Sequence, residues 1–291
     1  MRTTLPAIVP RVVSSEQTQR QRIEAYYAKH VEARFRGVAR PYDNLGYWAD
    51  HPASFEEAGF RLLEAIAQRA GVGPDDEVLD AGCGCGASSL DLAELWGCRR
   101  VVGIDVTEAM LAIGRRAAAR RQLDARVAFR AMSATALDLP DASFSRAFAI
   151  DCADLFSPRE AFFAEAFRVL RPGGVLALGD VVAGAAPTGP IQRALVRGIM
   201  RYFHVPVANY YGAEGYRARL LAAGFREVEI ESVGDRVLPG AVAHSLSARY
   251  RAEYRAACGW YETAMNTLIF RMIGRAYRQR LGDYVFVIAR K

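Results

Sequence analysis

The chain has 291 residues, of which 52% are hydrophobic and 24% are charged, and its formal net charge is +6. This composition provides a sizeable core and excludes a largely disordered chain. Lysine occurs only at Lys29 and Lys291, no basic run reaches five residues, and basic and aromatic residues do not interleave, which argues against a nucleic-acid partner.

The cysteines and the hydropathy of the chain indicate its cellular compartment and the kinds of site it can form. The odd number and scatter of the cysteines indicate free thiols in a reducing cytoplasm rather than a disulfide framework. No CxxC pair with histidine partners is present, so no metal site is predicted. No apolar stretch reaches the roughly eighteen residues of a membrane-spanning helix. Residues 1 to 15 are interpreted as a loose leader without a secretory signal.

The first half of the chain predicts an alternating fold. Apolar spacing indicates one helix from Glu16 to about Val38, then an aromatic segment from Tyr42 to Trp48, and a helix over Phe55 to Ala70. Helices then separate strands expected near 76–81, 100–105, 126–131, 144–151 and 174–181. Such alternation predicts an α/β fold whose doubly wound, mostly parallel sheet has helices on both faces.

The pattern changes after Val182. A Gly/Pro/Ala loop is followed by a helix over Ile191 to Phe203, a helix near 212–223, a strand at 226–233, a long helical stretch from Leu246 to Met272 and a last strand from Tyr284 to Ala289. The two late strands make the predicted sheet seven-stranded.

A domain organisation follows from these elements. The segments outside the core are expected to form a helical cap, or lid, over a substrate. The predicted parts are an N-terminal helical lid segment (1–54), a ligand-binding core (55–183), a cap helix insertion (184–211), and the rest of the core with further lid helices and the last strand (212–291).

The most informative stretch is Val78-Leu79-Asp80-Ala81-Gly82-Cys83-Gly84-Cys85-Gly86, a buried strand that ends in an acid and runs into alternating glycines. Glycine permits positive φ and lets a ligand approach the backbone. The loop lies between a strand and a helix, where doubly wound sheets bind ligands. The next strand ends in Asp105, as expected for an acid that binds ribose hydroxyls. The pair therefore predicts an adenosine-containing ligand.

The spacing of the glycines leaves NAD possible, because Ala87 is a tolerated third position of the dinucleotide fingerprint. Asp80 favours another ligand. Its carboxylate would repel a pyrophosphate and attract the ammonium group of a methionine moiety. The loop therefore favours S-adenosylmethionine (SAM).

These motifs resemble those of class I SAM-dependent methyltransferases. The runs Leu139 to Phe144, Arg168 to Gly174 and Leu220 to Phe225 are similar to further landmarks of that family, over about residues 55 to 235. Asn44 to Trp48 resembles a segment of the small-molecule branch, near tocopherol, sterol and sugar methyltransferases. The resemblance implies a Rossmann-like fold, SAM as cofactor and a role in secondary metabolism.

The resemblance also implies residues that bind the cofactor. Asp80, Gly82, Gly84 and Gly86 are expected at its methionine part and Asp105 at its ribose.

Further cofactor contacts are expected around the adenine and the sulfonium. Val106 would flank the adenine, and Thr135 stands where many relatives carry an aspartate that bonds the adenine amino group; a plain loop role is its alternative. Tyr47 belongs to an aromatic set expected to surround the sulfonium by cation–π attraction or simply to pack within the lid. The other members of that set are Tyr26, Tyr27 and Trp48.

Candidate catalytic residues follow the fourth strand. Asp151 and Asp154 are expected at the mouth of the site, to bind substrate or to act as a base if burial raises a pKa. Capping of the next helix is the alternative for Asp154, although Ser157 suits that position better. His204 and His244 in the cap are the other base candidates, with structural roles as their alternative.

The sequence thus predicts a SAM-dependent methyltransferase that acts on a small, apolar or aromatic metabolite, with the methylated atom left open. Its alternatives are a methyltransferase of nucleic acid or protein, and a cyclase or binding protein that uses only the sulfonium charge. Methylation of an isoprenoid diphosphate through Arg193, Arg197 and Arg201 is a further alternative. The oligomeric state is open, with a homodimer as one option.

Overall fold

The computed structural model describes residues 15–49 and 51–291, so residues 1–14 of the expected leader lie outside it. Within these ranges seven strands form one sheet, in the order β3-β2-β1-β4-β5-β7-β6. The strands are β1 (Glu77–Ala81), β2 (Arg100–Asp105), β3 (Val127–Ala131), β4 (Phe144–Ile150), β5 (Leu170–Ala183), β6 (Glu227–Ser232) and β7 (Gly282–Arg290).

Strand direction confirms the predicted fold class. Strands β1 to β5 pair in parallel, and β7 runs antiparallel between β5 and β6. The strand order reverses between β1 and β4, which is where doubly wound sheets bind ligands at the carboxyl ends of their strands. Both the glycine loop and Asp151 directly follow these two strands.

Eleven α-helices flank and cap the sheet within the described part of the chain. They are α1 (Ser15–Ala28), α2 (Val31–Arg34), α3 (Phe55–Ala70), α4 (Ala87–Glu94), α5 (Glu108–Arg120), α6 (Arg159–Val169), α7 (Pro190–Tyr202), α8 (Ala213–Ala222), α9 (Gly234–Leu246), α10 (Ala248–Cys258) and α11 (Trp260–Arg278). None of these helices is long and apolar enough to cross a bilayer.

Helix α3 has the predicted bounds, and its ends show why. The Ser54 hydroxyl accepts a hydrogen bond from the Glu57 N–H at the start, and Gly71 ends the helix at φ 62°. Its buried side chains, Leu62 and Ile66 among them, pack on one face of the sheet. A second apolar layer around Phe162 fills the opposite face. The core therefore lies on both sides of the sheet.

Two helical predictions were too long. The expected helix from Glu16 to Val38 is broken after Ala28, because His30 adopts φ 62°, which a right-handed helix cannot contain. The expected stretch from Leu246 to Met272 is divided among α9, α10 and α11. Ser247 starts α10 by accepting from the Tyr250 N–H, and Gly259 separates α10 from α11 at φ 88°. Helix periodicity continues through such breaks and does not reveal them.

The cap lies over the carboxyl edge of the sheet. Helix α7 buries Leu195, Val196 and Met200 against Ala276 of α11, and α11 in turn packs on α9 and α10. Helix α2 reaches the same assembly through its contacts with α10. The cap helices and the segment 15–48 therefore face the sheet edge where the glycine loop lies.

Candidate active site

The glycine loop has a shape that other residues could not adopt. Gly82, Gly84 and Gly86 have φ values of 70°, 53° and 79°. A Cβ on Gly82 would lie 2.6 Å from the Cys152 sulfur, and one on Gly86 would lie 2.4 Å from the Phe129 ring. The loop is therefore pressed against β3 and the residues after β4, which leaves bare backbone toward the ligand.

Asp105 fixes this loop to the end of β2. Its carboxylate accepts hydrogen bonds from the Gly84 N–H at 3.0 Å and the Thr107 N–H at 2.8 Å. Burial raises the pKa of this carboxyl. Together with Gly82, Gly84, Val106 and Thr135, it lines a cavity of about 110 Å³, here called the glycine-loop cavity. A carboxylate beside uncovered backbone fits the ribose of an adenosine.

Asp80 lies behind the loop rather than in this cavity. Its side chain is 3% exposed and accepts a hydrogen bond from the Ser89 hydroxyl at 2.6 Å. Burial raises its pKa to about 6. Asp80 therefore links the end of β1 to α4 and does not line the glycine-loop cavity; its contact with the methionine part of SAM remains a prediction.

The remaining expected cofactor residues divide into two groups. Val106 and Thr135 line the glycine-loop cavity, and the Thr135 hydroxyl lies 2.8 Å from that of Ser133. Tyr47 lines neither this cavity nor the larger one described below. Its ring stacks on Phe286 with centroids 6.0 Å apart, and its hydroxyl accepts from Arg236 at 3.1 Å. Tyr47 thus packs between β7 and α9.

A second cavity of about 1270 Å³, here called the large cavity, lies between the sheet edge and the cap. It exceeds the roughly 300–1,000 Å³ of typical small-molecule sites. Its walls are mostly apolar and aromatic, and include Tyr26, Trp48, Val196, Met200, Phe203, Tyr250, Tyr254 and Phe270. Such a space suits a bulky apolar molecule.

The two cavities meet at a junction, which among the described residues consists of those that line both: Tyr27, Asp43, Asp151 and Leu155. Tyr27 is the member of the expected aromatic set that reaches the glycine-loop cavity, whereas Tyr26 and Trp48 line only the large one. A group passed from one cavity to the other would cross this junction.

Asp151 is held at the junction by neighbours on two sides. Its Oδ2 accepts a hydrogen bond from the Leu45 N–H at 2.5 Å, and the Tyr284 hydroxyl of β7 lies beside its carboxyl group. Burial raises its pKa to about 7. The residue adopts φ 55°, a strained conformation of the kind that clusters at functional sites.

Asp154 lines the large cavity and caps no helix. It belongs to a single 3₁₀ turn over Ala153–Leu155, and Pro158 occupies the N-cap position of α6 without a side-chain hydrogen bond. The capping alternatives for Asp154 and Ser157 are therefore wrong. Burial, with the charge of Asp180 adding to it, raises the pKa of Asp154 to about 8.

Asp180 is a third carboxylate of this wall, which the sequence analysis missed. It follows a buried apolar run near the end of β5, and that lone acid in an apolar strand was the available signal. Its Oδ2 accepts from the Tyr216 hydroxyl at 2.9 Å and lies 3.6 Å from Nη1 of the buried Arg159. The Arg159 Nε–H donates to the Ala153 carbonyl at 2.9 Å, which ties this pair to the turn that carries Asp154.

A second missed pair comes from the segment before α3. Arg34, at the end of α2, lies 2.6 Å from Asp43 between Nη2 and Oδ1. Asp43 belongs to the junction and Arg34 lines the large cavity. No sequence motif marked either residue, since their pairing depends on the turn between α2 and the aromatic segment.

The two histidines differ in position. His244 lines the large cavity, where its ring stacks on Phe55 with centroids 5.0 Å apart, and burial lowers its pKa. His204 lines neither cavity and packs edge-on against Tyr26 at 5.6 Å. His244 therefore lines the large cavity, and His204 does not. Over residues 15–49 and 51–291, no group of side chains is placed to hold a metal ion.

Comparison with known proteins decides the class of ligand. A family model described as a methyltransferase domain matches residues 78–174. Erythromycin 3''-O-methyltransferase of Saccharopolyspora erythraea is 38% identical over 216 residues, which cover 73% of this chain and 70% of that protein. The chain belongs to the SAM-dependent methyltransferases. The predicted resemblance to this family is therefore confirmed. The predicted enzyme class and the predicted cofactor, SAM, are confirmed as well.

A further curated relative and two solved structures are also similar to this methyltransferase. The 27-O-demethylrifamycin SV methyltransferase of Amycolatopsis mediterranei is 32% identical, over 67% of this chain and 70% of that protein. Among solved structures, the [4+2]-cyclase SpnF has a TM-score of 0.72 at 25% identity, over 93% of this chain and 95% of that one. Geranyl diphosphate C-methyltransferase from Streptomyces coelicolor A3(2) shares the fold, with a TM-score of 0.71 at 18% identity, over 94% of this chain and 97% of that one.

Proposed function

We propose that this methyltransferase transfers the methyl group of SAM to a hydroxyl group of a large, mostly apolar metabolite. The observation that carries the proposal is the large cavity of about 1270 Å³, which meets the glycine-loop cavity at a junction that contains the carboxyl group of Asp151. The names of the two curated relatives support an oxygen as the methylated atom, since one specifies the 3''-oxygen of erythromycin and the other a 27-O-demethyl form of rifamycin SV.

Asp151 is the proposed general base. SAM supplies an activated methyl group, so the protein has to align the acceptor, exclude water and remove one proton. In the proposed step the Asp151 carboxylate takes the proton of the acceptor hydroxyl as the acceptor oxygen bonds to the methyl carbon and the carbon–sulfur bond of SAM breaks. A pKa of about 7 suits this task, because an effective base has a pKa near the working pH.

Asp154 has a different proposed role. With a pKa of about 8, its carboxyl group is largely protonated at neutral pH and can donate a hydrogen bond. From the wall of the large cavity it would orient the acceptor by bonding a neighbouring oxygen. In this proposal Asp151 acts as the general base and Asp154 as a hydrogen-bond donor, because their environments raise their pKa values to different extents.

Product analysis tests this proposal. The protein is incubated with SAM and a panel of bulky hydroxylated metabolites, and S-adenosylhomocysteine and the methylated product are measured together. We expect both to form in equal amounts. S-adenosylhomocysteine formation with acceptors that offer only carbon or nitrogen would contradict the hydroxyl assignment.

A cyclase that leaves SAM unconsumed is the second candidate function, favoured by the likeness to SpnF over 93% of the chain. The same experiment separates it, because a cyclase changes its substrate without forming S-adenosylhomocysteine. The isoprenoid diphosphate alternative loses the residues it relied on. Arg193, Arg197 and Arg201 are exposed on α7, and none of them lines the large cavity.

The partner predictions keep their status. The absence of a nucleic-acid partner and a cytoplasmic location remain expectations from the sequence, and the oligomeric state remains open, with a homodimer as one option. Gel-shift assays with DNA and RNA, sedimentation of the purified protein and fractionation of producing cells are the respective tests.

A further inference from the structure

The outer faces of the cap helices α7 and α11 carry charges that the methylation chemistry does not use. Arg193, Arg197 and Arg201 recur every four residues along α7, and all three are exposed. On α11, exposed positions follow one another at intervals of three or four residues, which places them on one face of the helix. These positions are Trp260, Ala264, Leu268, Arg271, Arg275 and Arg278. The two helices therefore present six arginines to solvent.

The two faces are neighbours because α7 packs on α11. A Cβ on Gly198 of α7 would lie 2.7 Å from the methyl carbon of Met272 in α11, so the helices approach closely there. Met200 of α7 and Ala276 of α11 belong to one buried cluster. The inner sides of both helices line the large cavity, through Met200 and Phe270 among others. Each helix thus separates the large cavity from an exposed arginine face.

The arginines of this face are not neutralised by acids among the described residues. Helix α7 contains no Asp or Glu, and Glu262 of α11 pairs with Lys29. Over residues 15–49 and 51–291 none of the six arginines forms an ion pair. Arginines elsewhere on the surface do so, as Arg219 does with Glu160. Like charges held together repel one another, so an anionic partner would be favoured at this face.

Apolar side chains lie among these arginines. Ile191 of α7 is 68% exposed, and Trp260, Tyr261 and Leu268 of α11 are 70%, 59% and 50% exposed. Single exposed apolar residues are common, whereas a group of them beside arginines has the composition of a helical surface that lies on a membrane. At such a surface arginines attract anionic headgroups, and Trp and Tyr lie at the boundary between water and hydrocarbon.

Two other occupants fit this face less well. A nucleic acid would bind the arginines, but its phosphates offer no partner to Ile191 and Leu268. A second copy of the chain would bring arginines against arginines, because a two-fold dimer uses the same patch on both subunits. A bilayer with anionic headgroups accommodates both the charged and the apolar side chains.

We propose that the outer face of α7 and α11 docks this enzyme on an anionic lipid surface without crossing it. The docking itself requires neither SAM nor an acceptor. Its use is to bring the cap within reach of apolar molecules dissolved in the bilayer, and this part rests on the proposed function. The cap helices would then contact lipid on one side and the acceptor on the other.

Vesicle binding by the full-length protein tests the proposal. Sedimentation is measured with vesicles of phosphatidylcholine alone and with vesicles that also contain phosphatidylglycerol. The wild type should bind the anionic vesicles at least about ten-fold more tightly, and salt should weaken the binding. The double variant Arg197→Gln/Arg275→Gln should bind about ten- to thirty-fold more weakly, because each arginine near an anionic surface contributes to the attraction.

A second double variant controls for the loss of net charge. Arg120→Gln/Arg226→Gln removes two exposed arginines that form no ion pair within the described part of the chain. Arg120 ends α5 and Arg226 precedes β6, both at the amino edge of the sheet and away from the cap. This variant should bind anionic vesicles within about two-fold of the wild type.

The exposed Trp260 reports the contact at the face itself. Its fluorescence should shift to shorter wavelength when anionic vesicles are added, as the indole leaves water. In Trp260→Phe the shift should disappear, although Trp48 and Trp96 remain. Leu268→Ser should weaken the binding without changing its salt dependence, because it removes apolar area and no charge.

Four results would overturn the proposal. They are no sedimentation with anionic vesicles, equal binding to neutral and anionic vesicles, equal weakening in the two double variants, and an unchanged fluorescence shift in Trp260→Phe. If the protein ignored vesicles but bound RNA through Arg197 and Arg275, the face would belong to a nucleic acid instead. Because the assay contains neither SAM nor an acceptor, failure of the proposed hydroxyl methylation would leave its outcome unaffected.

Discussion

At the scale of single residues, the proposed base Asp151 should make the activity depend on pH in a defined direction. A base works when it is ionised, and burial raises the pKa of this carboxyl to about 7. Turnover should therefore be low at pH 5, rise through about pH 7 and level off above it. A pH profile of kcat under saturating SAM measures this.

Replacement of the carboxylate should remove that dependence. Asp151→Asn should lower kcat by about 10²- to 10⁴-fold, the usual contribution of a general base. It should also remove the rise of kcat near pH 7. S-Adenosylhomocysteine affinity should change little. If the Asp151→Asn variant still showed a rise of kcat near pH 7, another group would be responsible for the pH dependence. Asp154→Asn is the matched comparison, expected to raise the KM of the acceptor more than it lowers kcat.

Asp154 should reduce stability in return for its function. Its pKa of about 8 lies above the usual value of 3.8, so the folded protein holds a proton that the unfolded chain has released. Stability contributed by the protonated form is lost as the pH rises from about 4 to 8. Asp154→Asn should therefore raise the free energy of unfolding more at pH 8 than at pH 5. Urea unfolding at the two pH values measures the difference, and an equal effect at both would contradict this account.

At the scale of elements, the aromatic segment after α2 links the lid to the base. Leu45 donates the backbone hydrogen bond that orients Asp151, and the neighbouring Gly46 has φ 74° with its missing Cβ only 2.8 Å from Ala58. Any side chain at position 46 has to displace this segment from α3. The orientation of the base thus depends on a glycine 105 residues earlier in the chain.

A pair of glycine substitutions tests this link. Gly46→Ala should lower kcat at least about ten-fold and destabilise the fold by about 1–3 kcal/mol, through strain and overpacking. Gly37→Ala is the matched control, because Gly37 has a similar φ of 76° and open space within 4 Å. The Gly37→Ala variant should lose stability through backbone strain alone and should keep the kcat of the wild type. Similar kinetics for the two variants would break the proposed link between the segment and Asp151.

The limits of sequence-based prediction also follow from elements. The bounds of α3 and the ends of β1 and β2 were predictable because caps, glycines and apolar runs are local signals. The break at His30 was not, because apolar spacing continues through it. Asp180 and the Arg34–Asp43 pair were missed for another reason. Their roles arise from packing between distant parts of the chain, and local patterns do not record such contacts.

Predictions for the site residues divide along the same line. Residues attached to the glycine loop and β2, such as Gly84 and Asp105, lie at the expected cavity because the strands that carry them were correctly placed. Asp80 and Tyr47 do not, because the direction in which a side chain points depends on neighbours that the motif does not specify. The Ser89 hydroxyl binds the Asp80 carboxylate, and the Tyr47 ring stacks on Phe286.

At the scale of the whole molecule, the N-terminal segment is the element that ligand binding should stabilise. Tyr27 and Asp43 form part of the junction, and Tyr42 ties the segment to the core through its 2.5 Å hydrogen bond to the buried Asp91. S-Adenosylhomocysteine at about 100 times its Kd should add about 2.7 kcal/mol to stability. It should also slow proteolysis within residues 15–48, as mass spectrometry of the fragments can show. Faster cleavage with ligand bound would contradict a wall role for this segment.

The meeting of the two cavities at only four described side chains has a consequence for engineering this enzyme. In the proposed reaction, we expect Asp151 and its neighbours at the sheet edge to decide which oxygen receives the methyl group. We expect α7, α10 and α11, which line the large cavity, to decide which molecule is admitted. Substitutions such as Met200→Ala or Phe270→Ala should widen the range of accepted molecules while each product still carries its methyl group at a single position. Regiochemistry and substrate range can therefore be evolved separately in this scaffold.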